Sequence, residues 1–445
     1  MSFTKHQEPD DVIGAFNPVY ALVQQTGALY NDAVEFRYLF RVKAFSKTGV
    51  ETIGPLVRKL PNSAGCGAID ISTLLQPYFD VPKPVANSSQ TLITSAAASS
   101  AVRFELQYGI EYTTTAGGPV TQSLLPAESS KFYAIRGAFS DRFTTTSRNG
   151  VQDFRYNSDG TQDGKFLSAG LRVANRLEFS AGLDESGVVS FNGMSGTAPT
   201  TNQYTHVRYR ITYANGTQGS LLTNFLDAPP SAPTNLGNLA GVINLYCYPQ
   251  DIVGWSFVSD VNKPTVATDY QFYDISLGTP SLRLSETLRI YNKRQCATKG
   301  IRFMFMNRFG GWNILTTTGY TRQSKTYTRD VVNSVRENYF TASGALELTA
   351  SPDTHGKKMP VTDIAEQYVA NTGAISDAEG ELVQELLRSP QAYALRFAID
   401  GMSSDSTYYP INITNSRASM VYQSQDKIVQ YAIEFEYANS VTPTY

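Results

Sequence analysis

The sequence predicts a mainly β chain: multi-domain antiparallel β-sandwich modules, with a C-terminal α+β module containing one amphipathic helix. Three observations carry this. Apolar and polar residues alternate over long runs, the period-two mark of strands with one buried face. Asn-Gly and Asp-Gly pairs punctuate those runs as turn signals. Aromatics reach 12% of 445 residues, with 27 Tyr and 23 Phe, while charged residues are only 17%. That balance suits half-buried pleated surfaces.

The elements follow in chain order. In "VEFRYLFRVKAF", Val34, Phe36, Tyr38, Phe40 and Val42 share the predicted buried face, and Glu35, Arg37, Arg41 and Lys43 the other. "DISTLLQPYF" (Asp70 to Phe79) reads as a short helical turn up to Pro77. "VPKPVANSSQTLITSAAASSA" (Val81 to Ala101) lacks periodicity and reads as a long surface loop. In "VRFELQYGIEY", Val102, Phe104, Leu106, Tyr108, Ile110 and Tyr112 point inward; Arg103, Glu105, Gln107 and Glu111 point outward. "HVRYRITYANG" places Val207, Tyr209, Ile211 and Tyr213 on one face and ends at Asn215-Gly216, a type I′ hairpin signal. "LDAPPSAPTNLGNL" (Leu226 to Leu239) is a Pro-rich crossover. The pattern breaks near "TRQSKTYTRD". Then comes the helix "SDAEGELVQELLRSP", with Ser376 and Glu379 as a capping box, Leu382, Val383, Leu386 and Leu387 as its apolar stripe, and Pro390 as its stop. "VQYAIEFEYAN" is the closing strand. These signals divide the chain into 1–138 (β-sandwich with loop 81–101), 139–325 (β region with crossover 226–239) and 326–445 (α+β module).

Composition also limits function. Thirty-seven basic against 39 acidic residues leave a net charge of −2, which gives no electrostatic reason to expect nucleic acid as a partner. No run approaches the roughly 18 apolar residues of a membrane helix, and "MSFTKHQEPDDV" has no apolar core, so neither membrane insertion nor a secretory signal is expected. Cys66, Cys247 and Cys296 are far apart and odd in number, which predicts buried single thiols rather than a zinc site or disulfides. His6, His206 and His355 are scattered, and no nucleophile elbow, phosphate loop or zinc-protease motif occurs. The expectation is therefore no catalytic residue, no cofactor and no metal, and a protein that is not an enzyme.

The densest stretch is "IRFMFMNRFGGW". Alternation puts Ile301, Phe303, Phe305, Asn307 and Phe309 on one buried face, with Arg302, Met304, Met306 and Arg308 on the other. Gly310-Gly311 supplies a bend that other residues resist, and Trp312 an anchor beyond it. Met304, Met306 and Arg308 face water or pack on a neighbouring subunit. Since Met, Arg and aromatics are enriched at interfaces, Met304, Met306, Arg308 and Trp312 are the candidate subunit-interface residues.

Several stretches in order resemble the β-rich structural proteins of tailed-bacteriophage tail modules, of the kind found in phages of Bacteroidetes-type hosts. They are "AFNPVYALV", "FRYLFRVKAF", "GAIDISTLLQPYF", "VRYRITYANG", "SETLRIYNKRQC" with "IRFMFMNRFGGWNILTTTG", then "ELVQELLRSPQAY", "YPINIT" and "DKIVQYAIEFEYAN". The set covers most of the chain. The resemblance implies a non-enzymatic virion protein, a repeated ring or hub subunit of the tail or baseplate, assembled in the bacterial host cytoplasm. It implies a homo-oligomer with other virion structural proteins as partners. No collagen-like, heptad or β-helix repeat is present, which disfavours a fibre shaft. The alternative is a receptor- or carbohydrate-binding adhesin on the particle, with Trp312 among the stacking aromatics and a host surface glycan as partner.

Overall fold

A computed structural model describes residues 3–25, 33–45, 51–79, 83–84, 93–95, 101–125, 132–139, 151–155, 160–170, 172–182, 185–193, 204–224, 242–253, 270–293, 300–329, 331–333, 338–340, 346–348, 357–358, 361–375, 377–395, 408–415, 420–423 and 428–438. The chain is mainly β, as the alternation requires. It forms two compact units. One takes Met1–Cys296, Met304–Leu315 and Ser376–Pro390; the other takes Ala297–Phe303, Thr316–Ile375 and Gln391–Tyr445.

The first unit begins with a sandwich. Phe3–Gln7, Tyr20–Gln25 and Gly67–Asp70 form a three-stranded sheet, while Glu35–Phe45 and Ala101–Thr113 pair over eleven positions at the centre of a seven-stranded one. Their facing sides share one core: Ala21, Val23 and Ile69 from the first sheet; Phe36, Tyr38, Phe40, Val42, Phe104, Leu106, Tyr108 and Ile110 from the second. A polar bolt crosses that core. The Tyr38 hydroxyl accepts from the Gln25 backbone N–H at 3.1 Å and donates to the Gly65 carbonyl at 2.7 Å. The buried phenol is thereby satisfied at both ends. The helical turn expected after Asp70 is present as Ser72–Leu75 followed by a tighter turn at Gln76–Tyr78. The Asp70 carboxylate accepts from the N–H groups of Val19 and Ser72, both at 3.0 Å.

The same unit holds a six-stranded sheet ordered Arg172–Val173, Arg176–Ala181, Thr287–Asn292, Tyr270–Gly278, His206–Tyr213, Gln218–Asn224. Val188–Asn192, Val242–Tyr246 and Ile93–Ser95 form a separate three-stranded sheet. Val12–Gly14 runs parallel to Phe132–Ile135, and Arg176–Ala181 to Thr287–Asn292, so these two sheets are mixed. Ile93–Ser95 lies inside the segment expected to be loop; its Ile-Thr pair is a weak strand signal among Ser and Ala. The Pro-rich crossover, Cys296, His355 and Ser376 lie outside the described residues. Cys66 and Cys247 are buried reduced thiols, as expected.

The hairpin at Asn215-Gly216 exists, but its turn differs from the expectation. Gly216 alone has positive φ, at 82°, and donates to the Tyr213 carbonyl, while the Tyr213 N–H donates to Thr217. This is a type I turn closed by a left-handed glycine, the three-residue hairpin loop. The two-residue primed turn occurs instead at Ala174 (φ 49°) and Asn175 (φ 59°), between Val173 and Arg176. Holding Ala174 left-handed costs about 1–2 kcal/mol.

The helix Asp377–Arg388 forms where predicted. Leu382, Val383 and Leu386 are buried, each contributing about 1.5–3 kcal/mol relative to exposure. It belongs with the first unit, not with the C-terminal strands that flank it in sequence. Lys293 Nζ lies 3.4 Å from its Glu379.

In the second unit, Ala392–Leu395, Tyr408–Ile413, Ile428–Tyr437, Val361–Asn371 and Thr321–Arg329 follow one another across a sheet, with Met420–Gln423 also on Ile428–Tyr437. Phe303, Tyr368, Phe435 and Tyr437 make its aromatic centre. The predicted pattern break at "TRQSKTYTRD" is a nine-residue strand. No helix among the described residues is long and apolar enough to cross a membrane.

Candidate functional site

The four residues expected at a subunit interface occupy different surroundings from those expected. Met304 is 3% exposed, Met306 1% and Trp312 0%. Both faces of Arg302–Met306 are covered within the chain, so alternation identified a strand but not an open face. Arg308 alone of the four keeps substantial exposure. Its guanidinium lies 3.4 Å from the Glu385 carboxylate, which also accepts from the Arg308 backbone N–H at 2.9 Å. The expected buried face is present in Phe303, Phe305 and Phe309.

The bend is built as expected, with the two glycines in different roles. Gly310 has φ 76° and donates to the Asn307 carbonyl; the Asn307 N–H donates to Gly311. A Cβ on Gly310 would stand 1.5 Å from the Arg136 carbonyl oxygen, and one on Gly311 2.4 Å from that of Leu167. The Asn307 side chain organises the turn, accepting from Phe309 and Gly311 and donating to the Leu167 carbonyl at 2.8 Å. It also donates to Asn313, which passes the network to Ser168. The Trp312 backbone donates to the Ser190 hydroxyl at 2.8 Å. This network fixes a core.

A buried ion pair is similarly structural. Glu286 is 0% exposed. Arg172 reaches it bidentately, and Arg172 also donates to the carbonyls of Ser168 and Phe166, while the Phe166 N–H donates to Glu286 at 2.7 Å. Burial nonetheless holds the Glu286 carboxyl above its ordinary value, outweighing the Arg172 charge and the hydrogen bonds. Every donor points at the protein itself.

The surface with functional character is elsewhere, on Thr321–Arg329. Seven of its nine residues are exposed. The strand pairs with Val361–Asn371 from Thr321↔Ala370 to Arg329↔Val361. Among the described residues, Tyr368–Asn371 alone continue the sheet onto Ile428–Tyr437. Beyond Tyr368 the arrangement is a two-stranded arm among the described residues. At about 3.4 Å per residue, its seven residues 361–367 extend roughly 20 Å.

The root of the arm is fixed by aromatic and ionic contacts. Tyr368 stacks on Phe435 with ring centroids 5.3 Å apart. Its hydroxyl donates to Glu366 at 2.9 Å, and Lys325 Nζ lies 2.8 Å from the same carboxylate. The Lys325 hydrogen bond holds Glu366 below the ordinary carboxylate range despite partial burial, helped by Tyr368. Outward from there, Tyr327 is 53% exposed; at the other end, just before the strand, Tyr320 is 73% exposed. Arg322 and Arg329 are exposed. The sequence signal was present: Thr and Tyr at strand-favouring positions, with cations and no apolar alternation. That is the pattern of a strand with neither face in a core, and it reads as a break when only alternation is sought.

No protein-family model matches the sequence, and no curated protein matches it. Among solved structures, a mutant Salmonella alpha-2-macroglobulin is similar at 9% identity, with a TM-score of 0.13, covering 99% of this chain and 31% of that one. This chain thus spans about a third of that protein's length, and a likeness of this size carries no argument about fold or function. Among the described residues, no cluster of three His, Cys, Asp or Glu could hold a metal ion.

Proposed function

We propose that the chain is a non-enzymatic structural subunit of a tailed-bacteriophage particle, a repeated ring or hub component of the tail or baseplate, acting through homo-oligomeric assembly with other virion proteins. The arm carries the reading. A two-stranded ribbon is marginal in water, and this one presents Tyr327 and Arg329 to solvent, with Tyr320 and Arg322 exposed at its root, residue types enriched where proteins meet. Such a segment gains stability when a neighbour covers it. The ordered tail-protein motifs supply the particle to which the neighbour belongs. Electron microscopy of the purified chain, with mass spectrometry of phage particles, tests this. Closed rings and presence in particles are expected; a monomer at high concentration that is missing from particles overturns it.

A receptor-binding adhesin is the second reading. Trp312 cannot stack on a sugar because it is fully buried. Tyr320 and Tyr327 take its place as exposed rings. Glycan-array binding lost in Tyr327→Ala, with the melting temperature unchanged, would favour this reading over assembly.

A further inference from the structure

We infer that the outer edge of Thr321–Arg329 is a docking site for an extended acidic strand of a partner chain. The inference rests on the assembly reading and specifies the partner's chemistry. It begins with the edge itself. Thr321–Arg329 pairs on one side with Val361–Asn371 and is the last strand of its sheet among the described residues. Nine residues make a long edge, with no Pro or Gly to interrupt it and an irregularity only at Thr328/Arg329. Such an edge presents a row of backbone donors and acceptors, a template for a further strand. A third strand would also turn a marginal ribbon into a sheet.

Charge then selects the occupant. The strand carries Arg322, Lys325 and Arg329 and no acid, in a chain whose net charge is −2. Lys325 is committed to Glu366. Arg322 and Arg329 have no carboxylate partner among the described residues. A second copy of the same edge is a poor occupant. Antiparallel pairing of two such strands about their centre sets Lys325 against Lys325, and like charges directly opposite destabilise a ladder. The cations that bar self-pairing favour a strand with carboxylates at the matching positions, an attraction and a repulsion that act together as specificity. Backbone hydrogen bonds supply the docking, as in strand addition generally.

The test uses the full chain and three fluorescent nine-residue probes: a Glu/Val peptide with carboxylates on both faces, because Arg322 and Arg329 lie on opposite faces of their strand; its Lys/Val counterpart; and the acidic peptide N-methylated at every residue. Anisotropy titrations are run at low and high salt. The acidic peptide should bind, more weakly as salt rises, while the basic and N-methylated peptides should not. Arg322→Glu with Arg329→Glu should weaken binding about tenfold, as expected for two exposed pairs turned repulsive, with an unchanged melting temperature. Failure of the acidic peptide to bind overturns the inference. So does equal binding of the N-methylated peptide or of heparin, which would mark a general polyanion surface rather than a strand site. Rings by microscopy without peptide binding would refute this inference alone; peptide binding by a chain that is monomeric and missing from particles would refute the assembly reading.

Discussion

Arg172 Nε sits 2.9 Å from Glu286 Oε2 and Arg172 Nη2 3.0 Å from Glu286 Oε1, a two-point grip on a fully shielded carboxylate. Removing one partner leaves a buried charge without its complement. Arg172→Ala should therefore cost about 3–5 kcal/mol, and the double change Arg172→Met with Glu286→Leu much less. Denaturant melts of the three proteins check this. A double variant as unstable as Arg172→Ala would show that the hydrogen bonds from Arg172 to Ser168 and Phe166 matter more than the charge pair.

Acid should act on Glu286 and Glu111 with opposite signs. The folded-state pKa of Glu286 is raised from the ordinary 4.5, so the folded state holds that proton more tightly than the unfolded chain. Its contribution to stability grows as pH falls through the folded value. For Glu111, burial pushes upward, but hydrogen bonds from Arg58 and Gln122 and the charges of Arg58 and Arg37 prevail, and its pKa lies below 4.5. That stabilisation is present above 4.5 and is lost as pH falls through the lower folded value. Melting temperatures between neutral pH and the acid limb should fall less steeply for Glu111→Gln than for the parent, and more steeply for Glu286→Gln.

Two left-handed glycines offer a matched comparison. Gly216 has φ 82° and open space where a Cβ would go; Gly310 has φ 76° and a carbonyl oxygen there. Gly216→Ala should cost about 1–2 kcal/mol, the backbone term alone. Gly310→Ala should cost far more, because the chain must also retreat from Arg136. Equal losses in urea melts would mean that the Arg136 segment yields easily.

Trp312→Ala should destabilise by about 3–5 kcal/mol, as large buried aromatics do on truncation. Thermal unfolding measures this. A loss near zero would contradict the complete burial of the ring.

Much of the fold was legible because alternation reports a one-sided strand directly. Phe36, Tyr38, Phe40 and Val42 on one strand, and Phe104 through Ile110 on another, are buried as the pattern requires. The pattern failed where a second layer covers the other face. Leu39 is fully buried, Glu111 is roofed by Arg58 and Gln122, and Met304 and Met306 are enclosed. Val34 fails for the opposite reason; it lies one residue before its strand and is 57% exposed. The Arg172–Glu286 pair was invisible because its members are 114 residues apart. The arm was legible as strand propensity but not as a site, since exposure depends on what the rest of the chain leaves uncovered.

The interleaving of the two units sets a schedule for synthesis. The first unit recruits Ser376–Pro390, so a nascent chain that has emerged only to residue 325 has the strands of that unit's seven- and six-stranded sheets and still lacks a helix that buries Leu382, Val383 and Leu386. Between those two moments the ribosome delivers much of the other unit, which itself waits for residues beyond Gln391. The first unit cannot finish until Pro390 has emerged, and the second waits further for the closing strand Ile428–Tyr437. Apolar surface of the first unit therefore stays uncovered while residues 326–375 are being made, and that interval is one of exposure to chaperones or to unwanted association.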